Sequence, residues 1–159
     1  MQRCDGKKNP QKQMRKDRKS PQSDGIYLCQ VAPFSGRKYA EIMPQARRMF
    51  RAIQKMTKRR PYLRCAYFKK DKIFFEYFWT HLNQKLTHDR ARRLKYFPCA
   101  LELLHVSKHP PVTFVNADLP GVIHHRFIGI TRDHTRFAVI VRQDRSSGKK
   151  YLLSLFPFI

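Results

Sequence analysis

Acidic residues are scarce in this sequence. Asp and Glu number 11 against 34 Lys and Arg among 159 residues, for a formal net charge of +23 and a pI near 10.5. No grouped Asp/Glu set stands ready to ligate magnesium, which counts against two-metal nuclease chemistry. No apolar run approaches the roughly 20 residues a membrane-spanning helix needs, and no clean lysine-rich amphipathic helix of the membrane-surface type is present. The N-terminal stretch has no apolar centre of the secretory kind, so the expected compartment is the cytoplasm. Cysteine is sparse and scattered: Cys4, Cys29, Cys65 and Cys99 form no CxxC pair, so neither a zinc site nor a disulfide framework is expected. No cofactor is called for.

What is present in excess is positive charge, far beyond what solubility requires, and it points to a polyanionic partner. RNA is the first expectation, DNA the second, and an acidic inhibitor or antitoxin protein the third. A membrane is not expected.

Residues 1–24 carry Lys, Arg, Gln, Pro and Ser with almost nothing to bury, and read as a flexible basic tail. Residues 25–159 hold 42% hydrophobics chain-wide and no internal linker, enough for one domain. From Glu41, Ile42, Ala46, Met49, Ile53 and Met56 recur at helical spacing, with Arg47, Arg48, Arg51 and Lys55 on other faces as a candidate phosphate-contacting strip. A second helix is expected from Asp71 as N-cap, with Phe75, Phe78, Leu82 and Leu86 on one stripe. A third is expected after Thr87, kinked or divided by Pro98. Thus 41–106 reads as mainly helical.

Beyond Pro110 and Pro111 the chain reads as strand over 112–116, 122–130, 135–143 and 149–157, separated by "TRDH" and "RSSG". The expected fold is α+β, with N-terminal helices on one face of a C-terminal antiparallel meander of about four strands over 112–157. A two-residue turn on Asp133-His134, and a second turn with Gly148 left-handed, pair residue 127 with 140, 125 with 142 and 140 with 154. That register sorts Ile128, Ile130, Phe137, Val139, Val141, Tyr151, Leu153 and Leu155 onto a helix-covered face. The opposite face then collects His125, Thr131, Arg136, Arg142, Lys150 and Ser154 over a floor of Ile123, Phe127, Ala138, Ile140, Leu152 and Phe156. Thr131, Arg132 and Lys150 add to the expected nucleic-acid contacts.

Metal-free RNA cleavage needs a proton carrier and cations for the charge that builds on phosphorus. Imidazole and guanidinium are suited to those two tasks. The helices followed by a meander, with histidine in its early strand, arginine in the middle strand and the closing "KKYLLSLFP", resemble the barnase–EndoU–colicin–RelE superfamily of small ribonucleases over about residues 87–159. That resemblance implies metal-free endoribonuclease activity of the toxin or mobile-element type. It makes His125 or His124 the proton carrier, Arg136 and Arg142 a phosphate clamp, and Ser154 a positioning group. The family's catalytic glutamate has no counterpart on these strands, and His134 would supply a second proton carrier only if its loop folds back. "RRPYLRCAYFKKDKIFFEYFWTHLNQK" has no place in that family. The charge is equally compatible with a nucleic-acid-binding protein, an accessory to a ribonucleoprotein or mobile element, that cleaves nothing.

Overall fold

The helical spacing near Glu41 becomes α1 (Tyr39–Met56) in the computed structural model, which describes residues 26–158. The expected basic tail lies outside the described residues, as does Cys4. Ile42 and Ala46 are buried on one side of α1, while Arg47, Arg48, Arg51 and Lys55 are exposed on the other. In place of a Ser, Thr or Asp cap, the Glu41 side chain reaches back to accept from the backbone N–H groups of Arg37 and Lys38, at 2.9 and 3.0 Å. Those donors hold its carboxyl below the usual range.

Strand β1 (Ile26–Leu28) precedes α1, and a hairpin of β2 (Tyr62–Cys65) and β3 (Asp71–Phe74) follows it. The helix expected from Asp71 starts later, as α2 (Glu76–Asn83). Asp71 instead pairs with Cys65 across the hairpin, and its carboxylate accepts from Lys150 Nζ at 2.6 Å. Next come α3 (Thr87–Leu94) and α4 (Phe97–Val106), divided at Tyr96 with Pro98 in the first turn of α4, where its missing N–H costs nothing. Phe97, Pro98, Cys99, Ala100, Leu103 and Leu104 are all buried, so α4 is apolar around most of its girth and forms the centre of the core. Strands β4 (Val112–Phe114), β5 (Val122–Ile130), β6 (Arg136–Asp144) and β7 (Lys150–Pro157) complete the chain.

The sheet is larger than the expected meander, and it is mixed. Seven strands run in the order β1-β5-β6-β7-β3-β2, with β4 also on β5; β1 pairs with β5 and β3 with β7 in parallel. The four-strand antiparallel sheet with N-terminal helices is therefore corrected, and the span 41–106 contains a hairpin as well as helices. The added strands are three or four residues long, too short for hydrophobic period to reveal them. The curled sheet holds α4 against its concave face, where α4 meets both β2 and β5.

Register also departs from expectation. The first turn has a three-residue tip, 132–134, with His134 at φ 66; Thr131 N–H donates to Thr135 O at 3.0 Å, and the Thr131 hydroxyl donates to Asp133. That one extra residue pairs Phe127 with Val139 and His125 with Val141. In the second hairpin Ile140 does face Ser154, and Gly148 is left-handed at φ 71. A bulge at Ile140/Val141 then pairs Val141 with Leu152 and Arg142 with Tyr151. The expected apolar face is thereby split. Phe137, Val139, Val141 and Leu155 line the concave core with Phe127 and Leu152, whereas Ile128, Ile130 and Tyr151 face outward. Strand β5 carries apolar residues on both alternations, so its pattern alone does not choose between registers. The three-residue turn sets the register, and side-chain size fits it. A Cβ on Gly129 would stand 2.5 Å from Phe137 Cζ, and the Phe137 ring, stacked on Tyr96 at 6.1 Å, fills the space above the glycine.

Candidate nucleic-acid interface

His125 is the residue on which the expected cleft depends, and it lies on the concave face. It is 7% exposed, its Nε2–H donates to Gln143 Oε1 at 2.7 Å, its Nδ1 accepts from the Thr113 hydroxyl at 2.9 Å, and the Phe68 ring meets it edge-on at 4.9 Å. Both ring nitrogens are thus occupied in one neutral tautomer. Burial lowers its pKa, the hydrogen bond it donates to Gln143 works against that, and the nearby Lys150 charge reinforces it.

The arginines of the expected clamp lie on the reverse side. Arg136 is exposed opposite Ile130, and Arg142 stands opposite His124. Six residues apart on one strand, they are separated by about 20 Å at roughly 3.3 Å per residue, too far to grip one phosphate. Arg142 is held by Asp144 at 3.1 Å. Ser154 is buried and accepts from Arg93 Nη1 at 3.1 Å. Lys150 lies on the concave side against Asp71, Thr131 is buried in its turn, and Arg132 reaches Gln30 at 3.3 Å. The structure therefore does not assemble His125, Arg136, Arg142 and Ser154 into one cleft. A one-residue change of turn separates them.

The outer face carries a different constellation. Following the pairings from strand to strand, Phe114 on β4 stands opposite His124 on β5, His124 opposite Arg142 on β6, and Arg142 opposite Tyr151 on β7. Tyr151 in turn stands opposite Phe74 on β3, and Phe74 opposite Tyr62 on β2. Directly opposed residues share a face, so one unbroken row of aromatic, imidazole and guanidinium groups crosses six strands. Phe114 lies parallel to His124 at 5.2 Å, and Tyr77 of α2 packs on Tyr151 at 4.7 Å with the Arg142 guanidinium 4.7 Å above its ring. Arg60 sits 4.2 Å over Phe74 and Lys72 lies 4.5 Å from the Tyr62 ring. Arg126, Lys72 and Arg64 flank the row in exposed positions. At one end Lys58, Arg59, Arg60 and Lys72 surround Tyr62 and Phe74 in a hollow of about 520 Å³.

Sequence reasoning missed Tyr62, Phe74, Tyr77, Phe114 and Tyr151 as site residues. For Tyr62, Phe74 and Tyr77 the signal was the interleaving of basic and aromatic residues in "RRPYLRCAYFKKDKIFFEYFW", the segment without a place in the superfamily considered above; Phe114 and Tyr151 join the row only through strand pairing.

Most carboxylates are engaged within the fold, while many cations are not. Glu41, Asp71, Glu76, Asp89, Glu102, Asp133 and Asp144 each hold a donor within the fold. Arg47, Arg48, Arg51, Lys55, Lys72 and Arg126 have no carboxylate partner among the described residues. Among those residues there is also no group of His, Cys, Asp and Glu able to hold a metal ion, and no helix long and apolar enough to cross a membrane.

Three histidines, His81, His124 and His125, have pKa values below the ordinary 6.5, in each case chiefly because burial disfavours the charged ring. The unfolded chain therefore binds more protons than the folded one just below pH 6.5, so stability is fully present above that pH and falls as the solution is acidified through the lowered folded values. Melting temperature is expected to drop between about pH 6.5 and 5, more steeply than in His125→Gln, where one such group is gone. Equal slopes in thermal melts would show that His125 does not titrate this way.

No protein-family model matches the chain, and no curated protein or solved structure matches it.

Proposed function

We propose that this protein binds single-stranded nucleic acid, RNA foremost, across the outer face of its sheet. The observation that carries the reading is the row from Phe114 to Tyr62. Unpaired bases stack on aromatic rings and on arginine planes, each stacked base contributing about 1–3 kcal/mol, while flanking cations track the phosphates. The outer face of the curled sheet offers stacking positions at the accessible Phe114, Arg142, Phe74 and Tyr62, while the buried His124 and Tyr151 support the rings packed on them, and duplex bases, already stacked on one another, cannot use such positions. The α1 strip of Arg47, Arg48, Arg51 and Lys55 adds sequence-independent attraction.

Titration of a fluorescent oligoribonucleotide and of the same sequence as a duplex tests this. The single strand is expected to bind more tightly, and its log affinity to fall with log salt at a slope near −0.7 for each phosphate contacted. Lys72→Ala together with Arg126→Ala should lower that slope by about 1.4. Preference for the duplex, or a slope unmoved by those substitutions, would contradict the proposal.

A second reading, RNA cleavage by the mechanism the ribonuclease superfamily implies, is favoured by one observation: His124 stands directly opposite Arg142 on this same face. It calls for cleavage in EDTA that leaves a 2′,3′-cyclic phosphate and is abolished by His124→Ala with binding retained. RNA left intact while bound would confine the function to binding.

A further inference from the structure

We infer that the hollow beside the β2–β3 turn binds a chain of linked phosphates, such as the terminal triphosphate of an RNA strand or of a free nucleotide. The hollow, of about 910 Å³, is lined by Arg64, Lys69, Lys70, His105 and Lys108 with Tyr67 at its rim, and no carboxylate lines it. Asp71, which follows Lys70 in the sequence, is turned to Lys150 on the concave side. A single diester phosphate would leave most of these cations unmatched, whereas linked phosphates present enough charge to meet them together.

Two features indicate that the hollow is built for this. Lys108 stands just past the C-terminal end of α4, beside His105, where a cation complements the helix dipole without any ligand. Lys69 and Lys70 have no such excuse: they come from the hairpin and adopt φ 54 and 66, the left-handed region that glycine and asparagine occupy most readily. Keeping two consecutive lysines there costs conformational energy, which singles out this turn as a place where the lysines are held for a purpose. The turn is also held from both sides. Lys70 N–H donates to Cys65 O at 2.8 Å, Ala66 N–H to Leu104 O at 3.0 Å, Arg64 Nη1 to Lys70 O at 3.0 Å, and His105 Nδ1–H to Arg64 O at 3.2 Å. The lysine heads thus project from a fixed base.

The hollow adjoins the aromatic row, since Arg64 reaches both it and the Tyr62 ring, 5.4 Å away. A strand lying on the row would bring its terminal phosphates here; only this choice of source rests on the function proposed above.

Inorganic tripolyphosphate titrated calorimetrically into the full chain is the direct test, at near-physiological salt so that general attraction is screened. Lys69→Asn with Lys70→Asn should weaken binding about tenfold or more, the loss of one or two charge-assisted contacts, and melt no lower than the natural protein because asparagine tolerates the turn. The charge-matched pair Arg37→Asn with Lys149→Asn, away from the hollow, should change it less than about twofold. Equal weakening by both pairs, or no saturable binding, would overturn the inference. Oligoribonucleotides with a 5′-triphosphate or a 5′-hydroxyl, and a nucleoside triphosphate, then separate the sources. A triphosphate gain confined to the oligonucleotide and lost with Lys69 and Lys70 assigns RNA ends, whereas a nucleoside triphosphate bound as tightly assigns free nucleotides. Tripolyphosphate binding that persists when the 5′-hydroxyl strand fails to bind would refute the sheet platform and leave the hollow standing.

Discussion

Replacing Tyr62 and Phe74 together by alanine is expected to weaken binding of an unstructured oligoribonucleotide by roughly a hundredfold, two stacked bases at about 1–3 kcal/mol each. Both rings are only partly buried and lie on the sheet face opposite α4, so the variant should fold with unchanged secondary structure. The salt slope separates stacking from charge: it should stay as in the natural protein, since no cation has been removed, although the affinity has dropped. The substitutions Arg47→Ala and Arg48→Ala should do the reverse, flattening the slope with a smaller loss of affinity. Binding by Tyr62→Ala, Phe74→Ala at natural strength in a polarisation assay would place the strand elsewhere.

The second large effect concerns the core. Gly129→Ala is expected to destabilise the protein by about 3 kcal/mol, at the upper end of what overpacking usually costs. The new Cβ would meet the end of the Phe137 ring, which is fully buried and stacked on Tyr96, so the ring can withdraw only by displacing its neighbours in the core. Phe137→Leu alone should also cost stability, but Gly129→Ala in the Phe137→Leu background should cost much less than in the natural protein. A double-mutant cycle in urea that returned additive effects would break the pairing of Gly129 with Phe137, and with it the register that puts His125 and Arg142 on opposite sides.

Helices with strong amphipathic spacing were legible from the residues: the periodicity from Ile42 to Met56 gives α1, and Pro98 marks the division between α3 and α4. The three long strands were also visible in their Val, Ile and Phe content. Their register was not, because it turns on whether the loop after Thr131 has two residues or three. A left-handed His134 and the Thr131–Asp133 contact decide that, and hydrophobic pattern does not distinguish the options when Val122, Ile128 and Ile130 alternate with Ile123 and Phe127. The hairpin of β2 and β3 was hidden for another reason. Its strands are four residues each, and the apolar spacing that continues into α2 reads as helix back to Asp71. Since Tyr62 and Phe74 stand on that hairpin, missing it meant missing the row. The arginines of the candidate cleft were legible as cations facing away from the core, and the histidine that was to join them was assigned to the wrong side by one residue.

Photocross-linking of a uniformly 4-thiouridine-substituted oligoribonucleotide to the full chain, followed by peptide mapping, tests the central claim most directly. Cross-links concentrated at Tyr62, Phe74, Tyr77 and Phe114, and lost on competition with unlabelled single strand, are the predicted result. Cross-links confined to α1 or to the concave side near His125, with the outer row untouched, would contradict it.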